Sequence, residues 1–466
     1  MVSIDELPDD VLLAVFYIYV DEDLYGASSK KEVETWQTLV HVCRRWRTIV
    51  FESPRHLKLQ LACTPETPVR DLLDVWPALP LSIWGYNNYP TGSVGNITAV
   101  LEHNDRVCQI HLEDVPRSHL ENISVAMQVP FPELTHLALL SNNETAPVLP
   151  DSFLGGSAQR LEFFLLRTIP LPGFPKLLLS ATHLNDLRLF DMPHSGYIPP
   201  EVMVTALSVL TDLKFLQLGF KSPLSRPDRA SQRLPPSTRT VLPVLGYFSF
   251  NGVSEYLDDF VSRIDVPRID QLSISLLINE NGFDTPQFIQ FISRTPRFKM
   301  FKRAHLSFEY EHARVELFSE TPGCSVIDVS VPCRELDWQV SSLEQVVTSC
   351  FPSLFTLEVL RVSDHPYSRR LWQYTIENAL WLGLLLPFSS VKNLYLSRQV
   401  TPHIGPALQE LVGTGTTEVL PALQNIFLEE LQPSGPAQEG IGKFVAMRQV
   451  ASHPIAVSRW QNPPWL

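Results

Sequence analysis

Near the N-terminus, apolar residues recur at Leu7, Val11, Leu12, Val15, Phe16 and Tyr19. Steps of four, three and one gather them along one face of a helix. Pro8 suits the first helical turn, where its missing N–H costs nothing, and Asp9 and Asp10 complement the positive helix start. The polar stretch Asp21–Glu34 reads as a loop. A second helical run follows at Trp36, Leu39, Val40, Cys43, Trp46 and Val50, with Val42 and Ile49 widening the stripe and Pro54 beyond its stop. Two short amphipathic helices cannot hide this much apolar surface unaided, so the pattern calls for a third element or a partner.

Beyond Pro54 the period changes. Leu57, Leu59 and Leu61 alternate as in a strand, Val69, Leu72, Leu73 and Trp76 have helical spacing, and Leu79, Leu81 and Ile83 alternate again. A Leu-x-x-Leu-x-Leu pattern then recurs, with Ile, Val or Phe allowed. It begins at Val107, Leu134, Leu161, Leu184 and Leu213, separated by 27, 27, 23 and 29 residues, and returns at Ile269, Val391 and Leu423. These spacings match the roughly 20–29 residues of leucine-rich repeats. A further strand is expected around Leu245–Phe250. Between 274 and 391 the period fades, leaving His305–Phe308, Val326–Val331 and Leu354–Val359 as isolated candidates. The fold class expected is α/β: a parallel sheet of stacked strand–helix units, irregular because the usual asparagine ladder is mostly missing. An α/β domain with a closed mixed sheet is the alternative.

Within each Leu-x-Leu strand, the residues flanking the middle leucine point away from the core. This predicts a possible target-binding face carrying His111, His136, Phe163, Arg188, Phe215, Gln217, Tyr395 and Phe427, together with Gln109, Leu165, Asp186, Gln271, Ser273, Asn393 and Asn425. Its mix of aromatic, amide and charged groups suits protein recognition. The same pattern also fits a solvated sheet surface.

Composition narrows the function. With 44% hydrophobic and 19% charged residues, the 466-residue chain is a folding sequence. A formal net charge of −13 argues against nucleic-acid partners and favours proteins. No run of about 20 apolar residues is present, and Ala379–Phe388 is expected as a buried helix rather than a membrane span. Val11–Val20 has the length of a signal-peptide core, but acidic residues precede it, so secretion is not expected. Six cysteines are scattered without a C-x-x-C pair, which fits a reduced interior, cytoplasmic or nuclear, and makes chance matches of the sequons at Asn96, Asn122 and Asn143. Gly413-Thr414-Gly415-Thr416-Thr417 lacks the lysine of a phosphate loop, and no nucleophile elbow, zinc helix or kinase signature occurs. Neither metal nor cofactor is expected, and no catalysis.

The N-terminal strings carry a resemblance. Leu7-Pro8-Asp9-Asp10-Val11-Leu12-Leu13-Ala14-Val15-Phe16, then Val40-His41-Val42-Cys43-Arg44-Arg45-Trp46-Arg47, then Ser53-Pro54, resemble an F-box, in the version found in large basidiomycete fungal families with a lengthened inter-helix loop. The resemblance implies an F-box module over 1–55 and a degenerate leucine-rich-repeat-like solenoid over 56–466; separately, the proline-rich composition of 222–236 makes that segment the expected mobile surface loop. It implies binding to a Skp-type adaptor, and through it to a cullin, by Leu7, Pro8, Leu12, Val15, Phe16, Val42, Cys43 and Trp46. The chain would then recruit an unknown protein substrate to a ubiquitin ligase as a non-catalytic subunit. An F-box protein of a non-ubiquitinating assembly, or a scaffold whose helical cap is only structural, are the alternatives.

Overall fold

In the computed structural model the described residues are Ile4 and 7–460, apart from 22–34, 55, 67–68, 87–88, 90–92, 143–145, 226, 228–237, 278–284, 320–325, 352–353, 366–371, 373–375, 412–418 and 431–435. The expected loop at Asp21–Glu34, most of the loop at 222–236 and the glycine string at 413–417 therefore lie outside them. The first apolar run forms helix α1 (Asp9–Asp21) as its spacing requires. The second run does not form one helix. It breaks into α2 (Thr35–Val40) and α3 (Arg44–Glu52) around Cys43, whose extended backbone and thiol cap α3, the Sγ accepting from the Trp46 N–H at 3.5 Å. Helical spacing continues across the break because both pieces face the same core, made by Leu12, Phe16, Leu39, Val40, Ile49 and Val50.

The chain divides into two compact units: Met1–Ile198 with Val209–Leu213, and Pro199–Ser208 with Lys214–Leu466. The N-terminal helices belong to the first unit together with six parallel strands, β1 (Leu61–Cys63), β2 (Leu81–Gly85), β3 (Val107–Leu112), β4 (His136–Leu140), β5 (Phe163–Arg167) and β6 (Asp186–Met192), paired in chain order. Leu57 and Leu59 are buried but precede β1, because the chain turns at Lys58, which has φ 49°. The repeat motif sets the register. Ile110, Leu137, Phe164 and Leu187 are cross-strand neighbours, and all four are essentially inaccessible. Stacking like residues at one register completes a core that no single repeat could bury. The connections are uneven: Arg117–Ala126 and Phe174–Leu178 are helical, whereas among the described residues between β4 and β5 the one helical element is the short turn Phe153–Gly156.

The second unit holds β7 (Phe215–Phe220), β8 (Thr240–Val241), β9 (Tyr247–Gly252), β10 (Ile264–Asp265), β11 (Gln271–Leu276), β12 (Arg303–Phe308), β13 (His312–Phe318), β14 (Ile327–Pro332), β15 (Val359–Asp364), β16 (Asn393–Leu396), β17 (Asn425–Leu428) and β18 (Ala456–Arg459). Apart from a separate β8–β10 pair, they run in the order β7-β9-β11-β14-β13-β12-β15-β16-β17-β18. Every pair is parallel except those of β13, which is antiparallel to both β12 and β14. This meander is why the repeat period disappears after 274: three strands fit where the repeat would place one. Neither strand order closes on itself, so the closed sheet expected as an alternative is absent. The fold is α/β with a large, mostly parallel sheet. Helices cover the core side, as in the Phe164–Phe174 and Phe248–Phe260 ring contacts, and the helix Asn378–Leu385, expected to be buried, buries one face through Trp381, Leu384 and Leu385 while Ala379 is exposed. Among the described residues, no helix is long and apolar enough to cross a membrane.

Candidate functional site

Two surfaces carry chemistry that the core does not use. The first is on the N-terminal helices. Trp36 ties these helices down: its indole N–H donates to the Gln60 carbonyl at 2.9 Å, and its ring meets Phe51 and Trp76 edge-on. Arg45 donates to Asp9 at 2.6 Å and to the Leu7 carbonyl, closing α3 onto the start of α1. The apolar stripe of α1 then splits in two. Leu12 and Phe16 are 0% and 1% exposed, and Phe16 packs on Trp46 with centroids 4.7 Å apart. The neighbouring row, Val11, Val15, Ile18 and Tyr19, is 40–56% exposed, and Val42 in the turn before α3 is 58% exposed.

Of the eight residues expected to bind an adaptor, Pro8, Val15, Val42 and Cys43 are therefore surface groups. Leu7 and Trp46 are half-buried, whereas Leu12 and Phe16 are interior and hold the helices together. Val11 and Ile18 join the exposed set. Helical phase puts them beside Val15, but without a known packing direction the sequence could not say which half of the stripe faces inward.

The second surface is the sheet side opposite the helices. All fifteen residues expected on it point away from the core, and all but buried Leu165 are half-exposed. They form ladders within each unit. In the first, His111 stacks on Trp84 and contacts Glu113 at 2.8 Å, His136 stacks on Phe163, and Arg188 clamps Asp186 while lying 5.3 Å above the Phe163 ring. His111 and His136 are not register partners: His136 pairs with Gln109, and His111 with Ala138. Burial lowers the basicity of His136, against the pull of Glu162 and Asp186. In the second unit Phe215 stacks on Tyr247 with centroids 4.2 Å apart, Tyr395 on Phe427 at 4.4 Å, and Asn425 donates to Asn393. Gln217 pairs in register with Ser249.

The meander and the last four strands of this face enclose a polar recess of about 640 Å³. Its lining includes a register row, Glu316, His305 and Arg361, contributed by β13, β12 and β15, which Tyr395 of β16 continues beyond the recess. Most of the row is internally satisfied. His305 bridges Glu316 at 3.0 Å and Ser363 at 2.7 Å, and Arg314 grips Asp328 through two bonds of 2.6 and 2.7 Å. Burial would raise the Glu316 carboxyl, but the His305 bond and the Arg314 charge outweigh it and hold the group below the usual carboxylate range. The bond to Asp328 likewise holds Arg314 firmly charged against its burial. Toward the strand ends, Ser397 donates to Asp364, and Arg398 pairs with Glu430 at 3.1 Å.

Arg361 differs. Its guanidinium lies 5.1 Å from the Trp460 ring centre, and its buried Nε has no hydrogen-bond partner. Burial lowers its basicity, opposed by Glu429 and Glu316. The Trp460 backbone N–H donates to the Leu428 carbonyl and its ring leans on Tyr395. Neither Arg361 nor the β13 residues were singled out by the repeat pattern. The Leu-x-x-Leu-x-Leu frame fades between 274 and 391, where both lie, though the alternation in His305–Phe308 is a usable signal. Among the described residues, no group of three or more His, Cys, Asp or Glu is placed to hold a metal ion. No protein-family model matches the chain, and no curated protein matches it.

Proposed function

We propose that the chain is a substrate-recruiting, non-catalytic subunit of an SCF-type ubiquitin ligase. Its N-terminal helices would be an F-box that docks a Skp-type adaptor, and its strand–helix units a degenerate leucine-rich-repeat-like solenoid that holds a target protein. The observation that carries the reading is the uncovered row Val11, Val15 and Ile18 on α1, with Val42 also exposed in the turn before α3, on helices otherwise firmly anchored. Together with the ordered Leu-Pro and Cys-Arg-Arg-Trp-Arg strings, it supports a partner-binding role for the module.

Magnitudes set what the partner must add. Covering a half-exposed Val or Ile is worth about 1 kcal/mol, from the roughly 25 cal/mol per Å² of apolar burial. Four such residues give about 4 kcal/mol, the low end of the 4–15 kcal/mol that association costs. Half-buried Leu7 and Trp46, the edge of Pro8 and polar bonds at the rim would supply the remainder. Target modification would then follow from proximity: the adaptor side is tethered to the ligase, the sheet side to the substrate, and effective concentration does the rest. Such work belongs to the cytoplasm or nucleus.

A second reading is favoured by the Trp36–Gln60 and Trp36–Trp76 contacts, which are what a purely structural cap would make. One experiment separates the two. Purified full-length protein is expected to capture a purified Skp-type adaptor, and Val15→Asp with Val42→Asp to abolish capture while leaving the melting temperature unchanged. Capture by the double variant, or none by the native chain, would favour the cap.

A further inference from the structure

We propose that the recess around Arg361 is a carboxylate-reading subsite for a peptide in which an acidic group lies next to a basic residue. This deepens the recruiting reading and rests on it for the source of the peptide.

The case begins with pairing. Of the three arginines lining the recess, Arg314 is held by Asp328 and Glu316, and Arg398 by Glu430. Among the described residues Arg361 makes no ion pair within hydrogen-bonding distance, and its Nε is buried without an acceptor. A buried guanidinium Nε–H without an acceptor forfeits one of the strong bonds the planar fork can make, and a carboxylate is the acceptor whose two oxygens match that fork. The carboxylates that line the recess each have another partner, Glu316 in His305, Asp364 in Ser397, Glu430 in Arg398, Glu429 in the Arg398 backbone N–H and Glu309 in His312, and Glu429 and Glu316 act on Arg361 through their charge alone.

Charge then selects among anions. Glu309, Glu316, Asp364, Glu429 and Glu430 face three arginines across the recess. A phosphate dianion would enter against that acidic excess, whereas one carboxylate neutralises Arg361 alone. Exposed Glu429, which accepts from the Arg398 backbone N–H at 2.7 Å, and Glu430 lie at the carboxyl ends of the parallel strands. A lysine or arginine adjacent to the bound carboxylate would meet these acids. Trp460, backed by the Tyr395 ring, gives the recess an aromatic wall against which the aliphatic part of an acidic side chain can rest. The volume falls within the roughly 300–1,000 Å³ of ligand-sized clefts. The carboxylate can be an Asp or Glu side chain or the terminus of a polypeptide, since both present the same two oxygens.

Isothermal titration of the full-length protein tests this with short peptides. One arm compares amidated Gly-Lys-Glu-Lys-Gly with its Gln counterpart, a second compares Gly-Lys-Gly as free acid and as amide, and a third puts phosphoserine in place of the Glu. At least one carboxylate peptide is expected to bind tenfold or more tightly than its neutral partner, and the arm that does so names the source. Arg361→Gln removes the preference, Arg361→Lys keeps part of it, and Arg398→Gln, which removes a cation already paired, changes it less than threefold. Circular dichroism melting checks that each variant folds. The subsite is overturned if the native protein does not discriminate, if Arg361→Gln or Arg361→Lys folds and discriminates as the native chain does, or if the phosphoserine peptide binds tightest. Adaptor capture is measured on the same preparations. Capture without peptide preference overturns the subsite alone; preference without capture overturns the recruiting reading and leaves the subsite standing.

Discussion

On α1 a row of apolar side chains from Val11 to Tyr19 stands open to water, whereas in the recess of the second unit Glu316, Arg314 and Asp364 are each held by a polar partner. The two surfaces are built on different physics. The helix row gains from anything that removes it from water, with little demand on geometry, so it suits a constant partner. The sheet face gains only from a ligand that completes what its own pairs leave open, and among the arginines of its recess Arg361 is the one left. Strength on one surface and selectivity on the other is the division of labour a recruiting subunit needs.

Substitutions on α1 sharpen the contrast most. Phe16→Ala empties a buried site against Trp46 and should lower stability by about 3–5 kcal/mol in denaturant titration. Val15→Ala, one residue away and exposed, should change stability by less than about 0.5 kcal/mol. Similar losses for the two would mean that the open row is not open.

In the recess the expected effects are smaller. Asp328→Asn takes the charged acceptor from half-buried Arg314 and should cost about 1–3 kcal/mol. Glu316 adds a pH signature. Because folding holds its carboxyl below the ordinary value, the folded state is favoured above roughly pH 4.3, and that contribution is lost as pH falls through the depressed folded value. The stability gap between the native chain and Glu316→Gln, read from melting curves, should therefore narrow from pH 7 towards pH 3. A gap that widened on acidification would reverse the assignment. Least affected should be Arg160→Ala, which breaks an exposed pair with Glu133 and is expected to cost under about 0.5 kcal/mol.

Much of this architecture was legible in the sequence because period encodes burial. The alternation in Leu134–Leu139 and Leu184–Leu189 dictated strands, a parallel register and the outward set from His111 to Phe427, and the structure has all three. Two features were not legible, for physical reasons. A helical stripe says which residues are apolar and not which of them a neighbour covers, so Leu12 and Phe16 read the same as Val15. The β12–β14 meander replaces leucine spacing with generic alternation, and generic alternation does not specify pairing partners. Arg361 became visible only when the fold set it between His305 and Tyr395.

The most direct measurement of the central claim is amide hydrogen exchange on the full chain with and without a purified Skp-type adaptor. Slowed exchange confined to Asp9–Asp21 and the turn at His41–Cys43, with β12 to β17 unchanged, is the predicted result. Unaltered exchange on α1 in the presence of saturating adaptor, or protection centred on the sheet face instead, would contradict it.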